Sequence, residues 1–246
     1  MSQKNPRKPP PPRPVSNRRS TLVAGAVLLL VAVVVIGGVL YQSNRSKPRV
    51  DGYGAAQKST VQVADGVVRV GLPNAPVTID VYEDFLCPVC GQFEKIYGQE
   101  LAQALDQGKV AARYHMLDFL NPGSASKNYS TRAAAAALCV ATDGDGAAYP
   151  KFRASLFSAG TQPKEGASTD LSDPQLAELA KTAGASQAAQ TCITSGGKMA
   201  AATAAAQAGT QQLAAAVGQD KVGTPTVLNG NKSVDVNNQD WITQLA

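Results

Sequence analysis

The chain has 246 residues, 44% of them hydrophobic, enough for one large domain or two small ones with a packed core. The formal charge of +5 misleads, because residues 1–50 hold nine Lys/Arg and no Asp or Glu, leaving residues 51–246 with 14 basic and 18 acidic groups and a net charge of −4. A mildly acidic folded part excludes an electrostatic footprint for nucleic acid, and only four cysteines exclude a disulfide-dense miniature scaffold.

Residues 1–20 are rich in Pro, Lys and Arg and nearly devoid of apolar side chains, so they predict a disordered cytoplasmic tail. Thr21 to Leu40 follow without a charge, a length that at 1.5 Å per residue spans a hydrocarbon core of roughly 30 Å. A transmembrane anchor over about 21–41 is the expectation. A cleavable signal peptide is the competing reading, but the run exceeds the usual core of about 7 to 15 residues and no A-x-A-like site follows. Six basic residues precede the run and three follow closely, which places the N-terminus in the cytoplasm and the remainder outside, where disulfides persist. Residues 42–58 read as a polar linker, and the folded domain is expected over 59–246.

Within that domain, Val61 to Val70 suggests a hairpin turning at Asp65-Gly66. Val77 to Tyr82 reads as a short strand that runs into FLCPVC. Gln92 to Gln107 shows helical spacing of Phe93, Ile96, Tyr97, Leu101 and Leu105, closed by Gly108, and Val110 to Leu117 returns to strand character. Strand, helix, strand in this order is a βαβ unit. From about 121 to 221 the pattern becomes Ala-rich helices: Tyr129 to Ala141, Pro150 to Phe157, Pro174 to Thr182, Ser186 to Thr194 and Met199 to Val217. Strand character resumes at Thr226 to Leu228, with a turn at Asn229-Gly230, a short strand near Val234 and a final helix from Asp240.

The chemistry concentrates at Cys87-Pro88-Val89-Cys90. Pro88 suits the first position of a helix, which puts Cys87 at the N-cap, facing unpaired N–H groups and the positive end of the helix dipole. That setting favours a thiolate, so Cys87 is the expected nucleophile. Cys90 lies one turn deeper on the same face and is the expected resolving cysteine. A CxxC also occurs in zinc sites. Here Cys139 and Cys192 form no second knuckle and no His or Cys lies near Cys87 in sequence, so no metal or other cofactor is expected. The single histidine, His115, falls on a strand and reads as a packing residue.

The run Tyr82-Glu83-Asp84-Phe85-Leu86-Cys87-Pro88-Val89-Cys90, with Phe93 after it, resembles the active-site segment of DsbA-like thioredoxin-fold proteins. Val222-Gly223-Thr224-Pro225-Thr226, about 135 residues on, resembles that family's cis-proline loop. The resemblance covers roughly residues 60–246. It implies an α/β thioredoxin-like fold with an inserted helical domain. It further implies a cis bond before Pro225, with the Thr224 backbone beside Cys87, and a role for Asp84, ahead of Glu83, as the carboxylate that relays the Cys90 proton. One departure stands out: the best-known oxidase of the family has His where this chain has Val89, which predicts a weaker oxidant.

Cys139 and Cys192 both fall in the insertion, 53 positions apart, and a structural disulfide between them is expected. Closing such a loop stabilises by about 4 kcal/mol in the chain-entropy model. The function so implied is a monomeric extracytoplasmic oxidase that donates disulfides to reduced secreted proteins and is reoxidised by a membrane quinone-linked partner of DsbB or vitamin K epoxide reductase type. A reductase or isomerase is the alternative within redox chemistry. A non-catalytic binding module or metal chaperone is the alternative outside it.

Overall fold

The computed structural model describes residues 47–143 and 146–245. The disordered tail and the membrane anchor expected from the sequence lie outside these residues. Among the described residues no helix is long and apolar enough to cross a membrane.

A six-stranded mixed sheet in the order β1-β2-β4-β3-β5-β6 organises the domain. Strands β1 (Thr60–Ala64) and β2 (Val67–Gly71) form the expected hairpin. Its two turn residues, Asp65 and Gly66, have φ of +50° and +75°. Positive φ at both positions is the demand of a type I′ turn, which Asp-Gly meets well. The βαβ unit comprises β3 (Val77–Glu83), α1 (Pro88–Asp106) and β4 (Val110–Met116), with β3 and β4 parallel from Val77↔Val110 to Glu83↔Met116. On the far side of β3, antiparallel β5 (Thr226–Asn229) and then β6 (Lys232–Ser233) complete the sheet.

Central β3 is buried on both faces, as the period of two requires for a strand covered on each side. Ile79 and Val81 enter the main core beneath α1, together with Phe93, Tyr97, Leu101 and Leu105. Tyr82 joins a smaller cluster with Leu117, Leu213 and Leu228. The insertion holds α2 (Tyr129–Ala141), α3 (Ala148–Leu156), α4 (Asp173–Ala183), α5 (Gln187–Thr194) and α6 (Met199–Val217). Its centre is α2, where the buried run Ala133 to Ala137 lets neighbouring helices approach closely. Cys139 and Cys192 are joined, tying α2 to α5 across a Cα separation of 5.8 Å.

A buried ion cluster fastens the insertion to the sheet unit. Arg153 on α3 donates Nε to Glu83 at 2.8 Å and Nη1 to Glu94 of α1 at 2.6 Å, with its guanidinium 4.2 Å from the centre of the Tyr114 ring. An unpaired charge at this depth would cost several kcal/mol, so the three side chains are mutually required. This is the role the structure gives Glu83.

Two expectations are corrected. Residues 47–58 carry no regular element, but they are docked on α1 and do not trail as a tether. The N–H groups of Gln57, Lys58 and Ser59 all donate to the Asp106 carboxylate at 2.8–2.9 Å, and Arg49 N–H donates to Ile96 O at 2.8 Å. Polar composition hid this, because the docking uses backbone donors that no side-chain pattern reveals. The helix expected from Asp240 is only a set of turns. A segment this short cannot repay helix nucleation, and Trp241 and Ile242 are held instead by burial, Trp241 among the rings of Phe93 and Tyr97.

Candidate redox site

The site forms where β3 hands over to α1. After Glu83 the chain turns sharply through Asp84. Its carboxylate accepts from Leu86 N–H at 2.9 Å, and its carbonyl accepts from Cys87 N–H at 3.0 Å. The other carboxylate oxygen accepts from Leu120 N–H at 3.1 Å, linking this turn to the loop after β4. Cys87 is the N-cap of α1, in an extended conformation, with Pro88 at the first helical position and Gly91 N–H donating back to Cys87 O at 3.2 Å. The helix thus starts at the cysteine motif, four residues before the Gln92 start that the apolar spacing predicts.

Cys87 and Cys90 are present as free thiols, 5% and 2% exposed. Their environments differ sharply. Hydrogen bonding from the Cys90 thiol brings the Cys87 thiol down to about 6; burial opposes this, while Thr224 and the N–H groups of Cys90 and Val89 assist. Burial pushes the Cys90 thiol far up, and the neighbouring Cys87 pushes it further. One sulfur is therefore ionised at neutral pH and the other holds its proton.

Thr224 and Pro225 come to the same spot from the start of β5. The bond between them is cis, and the Cys87 thiol donates to Thr224 O at 3.4 Å. The Thr224 hydroxyl is buried without a full hydrogen bond to another group, which leaves it able to donate to the sulfur on ionisation. Asp84 is fully buried, and burial raises its carboxyl to about 6 against hydrogen bonds from Ser130, Leu86 and Leu120; the Cys87 charge adds to the rise. Its backbone N–H reaches the Cys90 sulfur. Four of the residues singled out in the sequence, Cys87, Cys90, Asp84 and Thr224, are thus assembled around one pair of sulfurs, with Pro225 adjoining. Cys139 and Cys192 stand apart in the insertion.

His115 lies on β4 as expected, buried, with Nε2 2.7 Å from Asp80 Oδ1 and its ring stacked on Tyr82. It belongs to a network with Arg113 rather than to the thiols. Two large apolar side chains are exposed, Val89 within the motif at 58% and Phe119, next to the Leu120 that holds Asp84. A groove of about 500 Å³ runs beside Pro88, Gly91 and Gln92, walled by Ala154, Phe157 and Gln162. Sequence reasoning missed Gln162, whose side-chain amide reaches the backbone of Cys87. Its one trace in the sequence is Gly91, a small residue directly after Cys90 that signals a close neighbour without naming it.

A dithiol of unequal acidity at the N-terminus of a sheet-flanked helix, facing a cis-proline loop, defines a thioredoxin-fold dithiol protein. A family profile described as thioredoxin matches residues 63–245. Among solved structures, the chain is similar to the thiol-disulfide oxidoreductase MdbA of Corynebacterium diphtheriae, with TM-score 0.70 and 27% identity, covering 80% of this chain and 100% of that one. It is similar to reduced DsbA of Mycobacterium tuberculosis, with TM-score 0.59 and 32% identity, covering 74% of this chain and 98% of that one. Among curated proteins it is 37% identical over 185 residues to the serine/threonine-protein kinase PknE of Mycobacterium tuberculosis; the match takes in 75% of this chain, which spans about a third (32%) of that relative's length. The chain belongs to the thioredoxin family and, within it, to the DsbA-like thiol-disulfide oxidoreductases.

Proposed function

We propose that this protein introduces disulfides into secreted proteins outside the cytoplasm, through the Cys87-Pro88-Val89-Cys90 pair, while held to the membrane by a helix over 21–41 with its N-terminus in the cytoplasm. The observation that carries the reading is the opposite acidity of the two sulfurs, about 6 for Cys87 and far above the ordinary range for Cys90. In the oxidised protein a client thiolate attacks the Cys87 sulfur. The Cys87–Cys90 bond breaks, Cys90 leaves with the electron pair and takes up a proton, and a Cys87–client mixed disulfide remains. The client's second thiolate then attacks its own partner sulfur and expels Cys87, which leaves readily because it is a stable thiolate. Two electrons pass from client to protein, and a quinone-linked membrane partner of DsbB or vitamin K epoxide reductase type accepts them in turn.

In this reading Asp84 relays the proton that Cys90 needs, supported by a carboxyl raised to about 6, which exchanges protons readily at neutral pH. Thr224 presents its backbone beside Cys87, where an extended client segment can pair with it. Equilibrating the full chain with glutathione tests the direction of the reaction. A potential between about −120 and −180 mV supports a disulfide donor, and a value near about −270 mV replaces it with a reductase. Val89 in place of a histidine predicts a value toward the less oxidising end of the donor range.

A further inference from the structure

Gln162 lies in the loop between α3 and α4, outside every cysteine motif. Its Nε2 donates to Phe85 O at 3.2 Å and to Cys87 O at 2.9 Å. These two carbonyls bracket Leu86, and the N–H groups of Leu86 and Cys87 are held by the Asp84 carboxylate and carbonyl. Four hydrogen bonds thus fix the stretch of backbone that delivers the Cys87 sulfur, two from within the motif and two from the insertion. The Cys87 carbonyl also accepts the first backbone bond of α1, from Gly91. Gln162 therefore grips the chain at the helix start, where a small rotation would turn the sulfur away from the N–H groups that stabilise its charge.

Gly91 supplies a second, independent observation. Glycine inside a helix is destabilising relative to alanine, so its presence in the first turn calls for a reason. A Cβ at position 91 would lie 2.3 Å from Gln162 Oε1 and 3.1 Å from its Cδ. The space left by the missing methyl is filled by the Gln162 amide.

We propose that Gln162 is a positioning residue of the redox site: it holds the Phe85 and Cys87 carbonyls so that the sulfur stays over the N-terminus of α1 and beside Thr224, and Gly91 admits it. The inference rests on the reading of Cys87 as the attacking sulfur. It makes the insertion a working part of the site, because the clamp comes from a loop more than seventy residues away in sequence.

The test follows the ionisation of Cys87 in the full chain by its thiolate ultraviolet absorbance and its alkylation rate against pH. Gln162→Met keeps the length of the side chain and removes the donors; Gly91→Ala keeps Gln162 and displaces it with a better helix former. Each is expected to weaken Cys87 ionisation about tenfold, taking the thiolate fraction at pH 6 from about one half to about one tenth, a fivefold slower alkylation. Placed in a Gln162→Ala background, Gly91→Ala should add nothing, since its clash partner is gone. Gly91→Ala keeps the test decisive even if changes at 162 impair folding. A wild-type midpoint near pH 6 that all these variants share overturns the inference and leaves the role of Cys87 standing. No low-pH thiolate in the wild type, or thiol exchange that survives Cys87→Ser, overturns both.

Discussion

Two cysteine pairs in this chain sit at the starts and ends of helices, and they behave as opposites. Cys139 and Cys192 come from α2 and α5, both within the insertion, and are already joined. Cys139 is buried in the helical layer and Cys192 is partly buried beside Gly197. Cys87 and Cys90 share one helical turn at the junction of β3 and α1, and they remain thiols split in acidity by their surroundings. The chemistry of the side chains is identical. What differs is the setting: one pair ties two helices 53 positions apart, and the other shares the first turn of a helix whose N–H groups converge on Cys87, which favours a reactive bond there.

The sharpest way to break this contrast is Cys87→Ser. Exchange with a model disulfide should fall to background while the unfolding midpoint of the reduced protein at pH 6 or below changes little, because the thiolate contributes little there and a hydroxyl of similar size replaces the thiol at an N-cap that serine suits well. Cys90→Ser, offered a disulfide-bonded client, should instead accumulate a mixed disulfide visible by mass: the Cys87 thiolate attacks the client disulfide, one client sulfur leaves as a thiolate, and no Cys90 thiol is present to displace the other. If Cys90→Ser abolished attack and Cys87→Ser spared it, the assignment of nucleophile would be reversed. The converse experiment removes the staple. Cys139→Ala with Cys192→Ala should cost about 4 kcal/mol and lower Tm by about 10 °C, while the potential of the Cys87/Cys90 pair stays where it was. A potential that moved with the staple would mean that the two pairs are coupled through the insertion.

The same contrast explains what the sequence disclosed. The βαβ unit, the hairpin and the helices were legible because each rests on local periodicity and punctuation: Asp65-Gly66 for the turn, Phe93 to Leu105 for α1, and Tyr129 to Ala141 for α2. Cys87 and Cys90 were legible from the CxxC spacing behind a strand and at a helix start, and Thr224 and Pro225 through resemblance. The clamps were not. Gln162, Arg153 and the Asp106 carboxylate each act on partners from 47 to 77 residues away, through backbone carbonyls, buried carboxylates and backbone N–H groups that leave no periodic trace. Glu83 shows how close the two kinds of residue can lie. It adjoins Asp84 in the same acidic pair, yet its carboxylate is committed to Arg153.

The smallest effect is the most discriminating, because two groups at the site share a midpoint near 6 with opposite signs. Asp84 is raised from its ordinary 3.8, so the stability it contributes is complete below about 3.8 and is lost as pH rises toward about 6. Cys87 is lowered from its ordinary 9.0, so the stability its thiolate contributes is complete above about 9 and is lost as pH falls toward about 6. In the reduced protein the two together should produce a stability minimum near pH 6. Oxidation removes the thiol and with it the rising limb, so the Tm of the reduced form minus that of the oxidised form should grow steadily from pH 6 to 9. Asp84→Asn should remove the falling limb. By taking away a negative neighbour, it should also move the Cys87 midpoint down, by less than tenfold in the ionisation constant. A Cys87 titration indifferent to Asp84→Asn would mean that the carboxylate and the thiolate do not sense each other, and the proton that Cys90 takes up would have to come from another group or from water.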